Sequence, residues 1–278
     1  MKKLNRTTSH QERLSTKGNI MAILTATQKI ERAHVSIMQS KLFRFYSGLT
    51  MIGKVLVSND VPTAGTDGRD VWYGTEFIER LNNKQVLFIV LHELSHIAWR
   101  HTTTWKHLYK KDAVLANCAC DFVINLQLLD QDPDGREIEF PTDKDGKPMG
   151  CLDEKYRGMD AQQVFDLLKK EYGTGEKYVE AEGDCDQFDM HDFENAEKMT
   201  EAEKQALDTQ VQQALHQGKQ LAGKWAGKCH VICKDWLSHK LVGKKLYEIW
   251  LKLYVKVRAI VHGESLARSI SGLMCIYL

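Results

Sequence analysis

The sequence predicts an α+β domain, mainly helical, with a small antiparallel sheet beside a buried helix that carries two histidines. Three observations predict it. An apolar run, Val86-Leu-Phe-Ile-Val-Leu, leads directly into His92-Glu93-Leu94-Ser95-His96. A second apolar stretch carries Asn117, Asp121 and Asn125 every four residues, the repeat of one helix face. Between residues 49 and 73, short β-branched and aromatic runs alternate with Pro, Gly and Asp, the pattern of strands joined by tight turns.

Composition sets the bounds. A chain of 278 residues, 43% hydrophobic and 27% charged, is ordinary for a soluble protein of one or two domains. A net charge of +1 gives no reason to expect nucleic acid or an anionic membrane as partner. No apolar run reaches the roughly 18 residues of a membrane span, and no signal peptide is legible. Seven cysteines, none in paired zinc-finger spacing, read as free thiols in a reducing cytoplasm.

Residues 1–20 are polar and without periodicity. The codons allowed for Lys17-Gly18-Asn19-Ile20 can spell a purine-rich ribosome-binding element ahead of Met21. This stretch is therefore expected to be a disordered tail or an extension upstream of the true start. From Thr25 to Phe45 the pattern predicts an amphipathic helix with Ile30, Ala33, His34, Ile37 and Leu42 inward. Leu49 to Val57 reads as a strand, Thr66-Asp67-Gly68 as a turn, and Arg69 to Tyr73 as a second strand. Gly74-Thr75-Glu76 opens a short helix through Leu81. The sheet would pack on the histidine helix and offer an edge to an extended peptide.

That helix has Asn82 and Asn83 as candidate N-caps. Four residues turn an α-helix by about 400°, so His92 and His96 share a face. Two neutral imidazoles there can bind one Zn²⁺, and Glu93 is placed to take a proton from a water that the metal activates. The third ligand has two candidates. His101 lies about 140° round the helix from His96 and could join only if the helix breaks, and no glycine follows His96 to break it. Asp121 lies in the polar stripe, which needs partners if it faces inward. A metal, with Asn117 and Asn125 in a surrounding shell, would supply them. Asp121 is the preferred third ligand and His101 the alternative.

Further along, Asp130-Gln-Asp-Pro-Asp-Gly135 imitates the start of an EF-hand loop, but Pro141 stands where the twelfth-position Glu belongs, so a solvated loop is expected. Met159 to Tyr172 reads as a helix capped by Asp160. Residues 174–208 hold twelve acidic and three basic residues, and the linker is placed at 173–199. Thr200-Glu-Ala-Glu203 is a capping box opening a helix to about Leu221.

These residues together resemble the metallopeptidase domain family that usually precedes a von Willebrand factor A-like domain. Gln28-Lys-Ile-Glu-Arg-Ala33 is similar to its opening helix, and Val61-Pro-Thr-Ala-Gly-Thr-Asp-Gly-Arg69 to its pre-helix turn. His92-Glu-Leu-Ser-His96 with His101 resembles its metal helix. Ala119 to Asn125 and Tyr156 to Leu168 resemble the two segments that follow. The resemblance implies a zincin-like domain, a predicted peptidase activity and association with AAA+ ATPases. Its pattern fades near Lys224. One base earlier, the codons of the remaining stretch permit the Trp-Arg-x-Pro segment that such proteins carry, so 225–278 is expected to be a frameshifted tail. The organisation expected is thus 21–172 as the domain, 173–199 as linker, 200–224 as a helix returning to the domain, and 225–278 as tail.

The leading reading is a cytoplasmic, Zn²⁺-dependent peptidase acting on a protein or peptide: His92, His96 and Asp121 on the metal, Glu93 as general base. The alternative is a metal-stabilised scaffold that binds an AAA+ ATPase or another protein and cuts nothing. An intact Glu93 favours the enzyme. A closed four-ligand site using both Asp121 and His101 would favour the scaffold.

Overall fold

Helix α1, Ala26–Gln39, starts at a reciprocal capping box in which Thr25 and Gln28 bond each other's backbone N–H groups. It buries Ala26, Ile30, Ala33 and Ile37 along one stripe. The computed structural model describes residues 24–182 and 199–223. The tail at 225–278, the extension at 1–20 and most of the acidic linker lie outside them.

Helix α1 is shorter than expected, because Ser40 is extended and its hydroxyl accepts from the N–H groups of Leu42 and Phe43. Residues 49–57 are likewise not one strand. Leu49–Met51 is a 3₁₀ turn, as is Arg44–Tyr46, and strand β1 is only Val55–Ser58. Two glycines explain the break. A Cβ on Gly48 would lie 2.6 Å from the carbonyl oxygen of Ala214, and Gly53 has a φ of 68°.

Strands β2, Ala64–Thr66, and β3, Val71–Gly74, complete a three-stranded sheet in the order β1-β3-β2. The β2–β3 pair is the antiparallel hairpin expected from Thr66-Asp67-Gly68, but β1 runs parallel to β3, with Val55 opposite Val71. The sheet is mixed because the β1–β2 connection carries the chain across β3 before the hairpin forms. That crossing passes against Gly74, whose missing side chain leaves room for the Val61 carbonyl.

Helix α2, Thr75–Arg80, ends at a lysine from elsewhere in the chain. Lys29 Nζ donates to the carbonyl oxygens of Ile78, Glu79 and Leu81, supplying the partners that a helix C-terminus lacks. Helix α3, Asn83–Trp99, is capped by Asn82 with Gln85 reciprocating, and every residue from Gln85 to Ala98 is buried. Two short helices, α4 (His101–Thr104) and α5 (Lys106–Tyr109), lead to α6, Ala113–Gln131, capped by Asp112. By length and composition alone α6 could cross a membrane, but 72% of its apolar window is buried inside the protein.

In the loop after α6, the Asp132 carboxylate accepts from the N–H groups of Arg136, Glu137 and Ile138. The EF-hand-like stretch thus folds on itself as a turn. Helix α7, Ala161–Tyr172, has the expected Asp160 cap. Helix α8, Gly175–Glu182, corrects the expected start of the linker: Tyr178 and Gly175 are buried against the α6–α7 pair, so apolar contact outweighs local acidity there. Helix α9, Glu201–Gly223, opens at the Thr200–Glu203 capping box and lays Leu207, Val211, Ala214 and Leu215 into the core. Gly218 lets it pass directly over the Phe45 carbonyl.

The molecule is an α+β structure, mostly helical, with two apolar clusters. One joins α1, α2, α3, the sheet and α9 to one face of α6 through Ile124 and Leu128, and the other joins α5, α7 and α8 to the rest of α6. Helix α6 is common to both.

Candidate metal centre

Helix periodicity places the site. His92 and His96 leave one face of α3, with ring centroids 4.7 Å apart and Nε2 atoms 3.1 Å apart. Opposite them, the stripe Asn117, Asp121 and Asn125 faces inward from α6 and is buried throughout. Asp121 Oδ1 lies 3.2 Å from His96 Nε2 and 3.7 Å from His92 Nε2. Among the described residues, His92, His96 and Asp121 form a group whose ligand atoms all lie within 4.8 Å of one another and could hold a metal ion.

The spacing can be tested against coordination geometry. With bonds of about 2.0–2.1 Å, neighbouring ligands of a tetrahedral ion stand about 3.3 Å apart. Separations of 3.1, 3.2 and 3.7 Å bracket that value. The chemistry of the donors agrees. Asn125 Nδ2 donates to the Cys151 carbonyl at 2.8 Å, which leaves Asn125 Oδ1 to accept from His92 Nδ1 at 2.8 Å. The His92 proton therefore sits on Nδ1, and its Nε2 presents a lone pair to the group. A second nitrogen 3.1 Å from that lone pair requires a proton or a cation between them. A carboxylate only 1% exposed requires compensating positive charge as well. The residues fit a small divalent cation.

His101 lies elsewhere than its alternative role would need. Helix α3 does break after Trp99, at Arg100, which adopts the left-handed conformation (φ 55°, ψ 44°) that a glycine would ordinarily supply. The chain turns back, and His101 Nδ1 comes to 3.1 Å from His96 Nδ1 with the two rings perpendicular. His101 thus touches the nitrogen of His96 that points away from Asp121. When His96 Nε2 offers its lone pair, Nδ1 carries the proton and donates to His101. Asn117 Nδ2 donates to Asp121 Oδ2 at 3.3 Å. Each of the three metal-capable side chains is therefore oriented by one neighbour: His92 by Asn125, His96 by His101, Asp121 by Asn117.

Glu93 is fully buried beside these residues. Across from it stands Tyr73 of β3, whose phenol is pushed well above its ordinary pKa by burial, with the charge of Glu93 adding to the effect. The phenol therefore stays protonated beside the carboxylate. Sequence reading missed Tyr73, taking it only as a strand residue, because nothing local says that its phenol is buried near Glu93. It also missed Arg100, whose ion pair with Asp208 of α9 holds the turn before His101. The sole signal would have been the inward pull of His101 itself.

Compared with curated proteins and with solved structures, the chain matches none. A family profile described as "Putative metallopeptidase domain" matches residues 25–252. The match spans α1 through α9 and runs past Lys224 into the stretch for which the codons suggested a shifted frame. The helices that bring the two histidines and the aspartate together are those the profile covers, and the chain belongs to this metallopeptidase-domain family.

Proposed function

We propose that the protein is a zinc-dependent peptidase. The observation that carries this reading is the convergence of His92 Nε2, His96 Nε2 and Asp121 Oδ1 at tetrahedral spacing with Glu93 buried alongside. Two nitrogens and one carboxylate oxygen leave a fourth position open, as in catalytic rather than structural zinc sites. Zinc would supply Lewis acidity there, polarising a carbonyl and lowering the pKa of a water molecule to about 7.

The remaining chemistry belongs to the chain. His92, His96 and Asp121 would hold the ion, with Asn125, His101 and Asn117 fixing their orientations. Glu93 would take the proton from the attacking water and return it to the leaving amine. Burial of the group limits competing water and strengthens each charge interaction. The placement of His101 behind His96 supports an open site over a closed four-ligand one. A cytoplasmic setting and an AAA+ ATPase as partner, both suggested by the sequence, belong to the same proposal.

The test uses the full chain. Purified protein should contain about one Zn²⁺ and cleave unstructured peptides. Glu93→Gln should keep the metal and lose two or more orders of magnitude in rate. Metal retained with no cleavage by either form would replace the enzyme with a metal-stabilised scaffold.

A further inference from the structure

A pocket of about 260 Å³ opens to solvent beyond the turn at Arg100, on the far side of His101 from the metal group. Trp99, Trp105, Val123 and Met159 supply its apolar wall, and His101 closes its buried end. At its rim Thr104 is exposed, and Gln127 and Asp160 are half-buried. Its position follows from the break in α3. The chain leaves that helix at Trp99, turns at Arg100, and brings Trp105 back at the junction of α4 and α5. Two hydrogen bonds hold the mouth in shape. Thr104 Oγ1 donates to the Trp99 carbonyl at 3.2 Å, and His107 Nε2 donates to Gln162 Oε1 at 2.8 Å, tying α5 to α7. Asp160 is fixed in turn by its reciprocal capping box with Gln163. The pocket is therefore formed in advance, which spares a ligand the cost of ordering it.

Size, surface and charge select the occupant. The volume exceeds the roughly 150 Å³ that encloses one benzene ring and falls below the roughly 300 Å³ at which pockets take drug-sized ligands. It suits a molecule of one or two rings. Two indoles and a thioether favour an aromatic one and attract a cation. Asp160 brings a carboxylate to the wall, and among the described residues that line it there is no lysine or arginine. The amino end of α7 lies beside Asp160, but its half charge is smaller than the full charge of the carboxylate. An amine is thus favoured over a carboxylic acid of the same shape.

We propose that this pocket is an effector site for a small aromatic amine, its ring among Trp99, Trp105 and Met159 and its ammonium group at Asp160. The site is separate from that of any substrate, because the rings of His101 and His96 stand between its occupant and the candidate metal group. The same two rings link it to that group. His101 Nδ1 lies 3.1 Å from His96 Nδ1, so a metal held at His96 Nε2 steadies both rings and with them the buried end of the pocket. An occupant packed on His101 then meets a wall already fixed, and less freedom is lost when it binds. Zinc and the amine should each tighten the other by one shared factor. The pocket stands apart from the peptidase reading, and only the coupling rests on the metal that this reading invokes.

Calorimetric titration of the full chain, zinc-loaded and metal-free, with tryptamine, indole and indoleacetate tests this. Tryptamine should bind at least about tenfold tighter than indoleacetate, with indole between them, a difference that one nearby charge supplies. Asp160→Asn keeps a competent helix cap and removes the charge, so tryptamine should fall to the affinity of indole. Val123→Trp, which fills the pocket from its half-buried wall on α6, should abolish binding of all three while zinc content stays unchanged. Asp160→Asn guards against a folding artefact in that bulkier variant. Zinc should raise the affinity for indole, which carries no metal-binding group, by about fivefold or more, and indole should raise the affinity for zinc by the same factor. Wild type that binds no tryptamine at millimolar concentration, or binding untouched by Val123→Trp, overturns the pocket. Indoleacetate bound as tightly as tryptamine overturns the amine. Equal indole affinity with and without zinc overturns the coupling. A chain that takes up no zinc sinks the metal reading together with the coupling, and titration of the metal-free chain with tryptamine still decides the pocket.

Discussion

Asn125 shows how much one amide decides. Its Nδ2 is committed to the Cys151 carbonyl, so its oxygen must face His92, and the imidazole tautomer follows. Asn125→Leu should therefore cost about 10–100-fold in metal affinity through loss of that orientation, with the helical signal little changed. Zinc titration against a competing chelator is the measurement. The same titration separates the two ligand candidates. Asp121→Asn should weaken binding further than His101→Gln, because the first removes an anionic oxygen from the group and the second only the partner behind His96. If His101→Gln proved the more damaging, His101 would have to be brought onto the metal. The shared inward face of Asn117, Asp121 and Asn125 was legible because a four-residue repeat on an apolar helix fixes which side chains lie together. Tyr73 and Cys151 were not, because both reach the site through tertiary packing that leaves no periodic trace.

At the scale of elements, the turn at Arg100 tests how a non-glycine residue is held at positive φ. The left-handed conformation costs an L-residue about 1–2 kcal/mol, and the pair with Asp208 opposes that cost. Arg100→Gly removes strain and pair together and should change stability little. Asp208→Ala removes the pair alone and should lower it by about 1 kcal/mol, a modest figure because Asp208 is half-exposed. Chemical denaturation of the two variants checks the order, and a larger loss in Arg100→Gly would show that the guanidinium does more than pair. Helices α3, α7 and α9 were readable because each opens on a capping residue, and α6 because its polar residues recur every four on an apolar stretch. The parallel pairing of β1 was not, since a short strand carries no record of its partner's direction. Helix α8 was hidden because acidic residues outnumber the buried Gly175 and Tyr178 that anchor it.

At the scale of the whole molecule, two apolar clusters meet at α6, and the candidate site places buried charge between α3 and α6. Bound metal should therefore act as a stabiliser. At a free zinc concentration about 1,000 times Kd, linkage contributes about 4 kcal/mol. The unfolding midpoint should rise with zinc in the wild type and in Glu93→Gln, and stay flat in Asp121→Asn. A midpoint indifferent to zinc in all three would mean that the group does not bind it. Two helical repeats in the sequence pointed to this candidate group, but nothing pointed to the α9 contact beside it, because Asp208 meets Arg100 across more than a hundred residues of chain.

That last contact bears on the order of synthesis. By the time residue 182 has left the ribosome, both histidines, Asp121, Asn125 and Cys151 are in place, so a nascent chain could already capture metal. The cover over Phe45 and Leu49, and the partner of Arg100, arrive only with α9. Ribosomal pausing between α8 and α9 would thus leave the candidate metal group complete before the core is sealed, and the packing of α9 would be the closing step of folding.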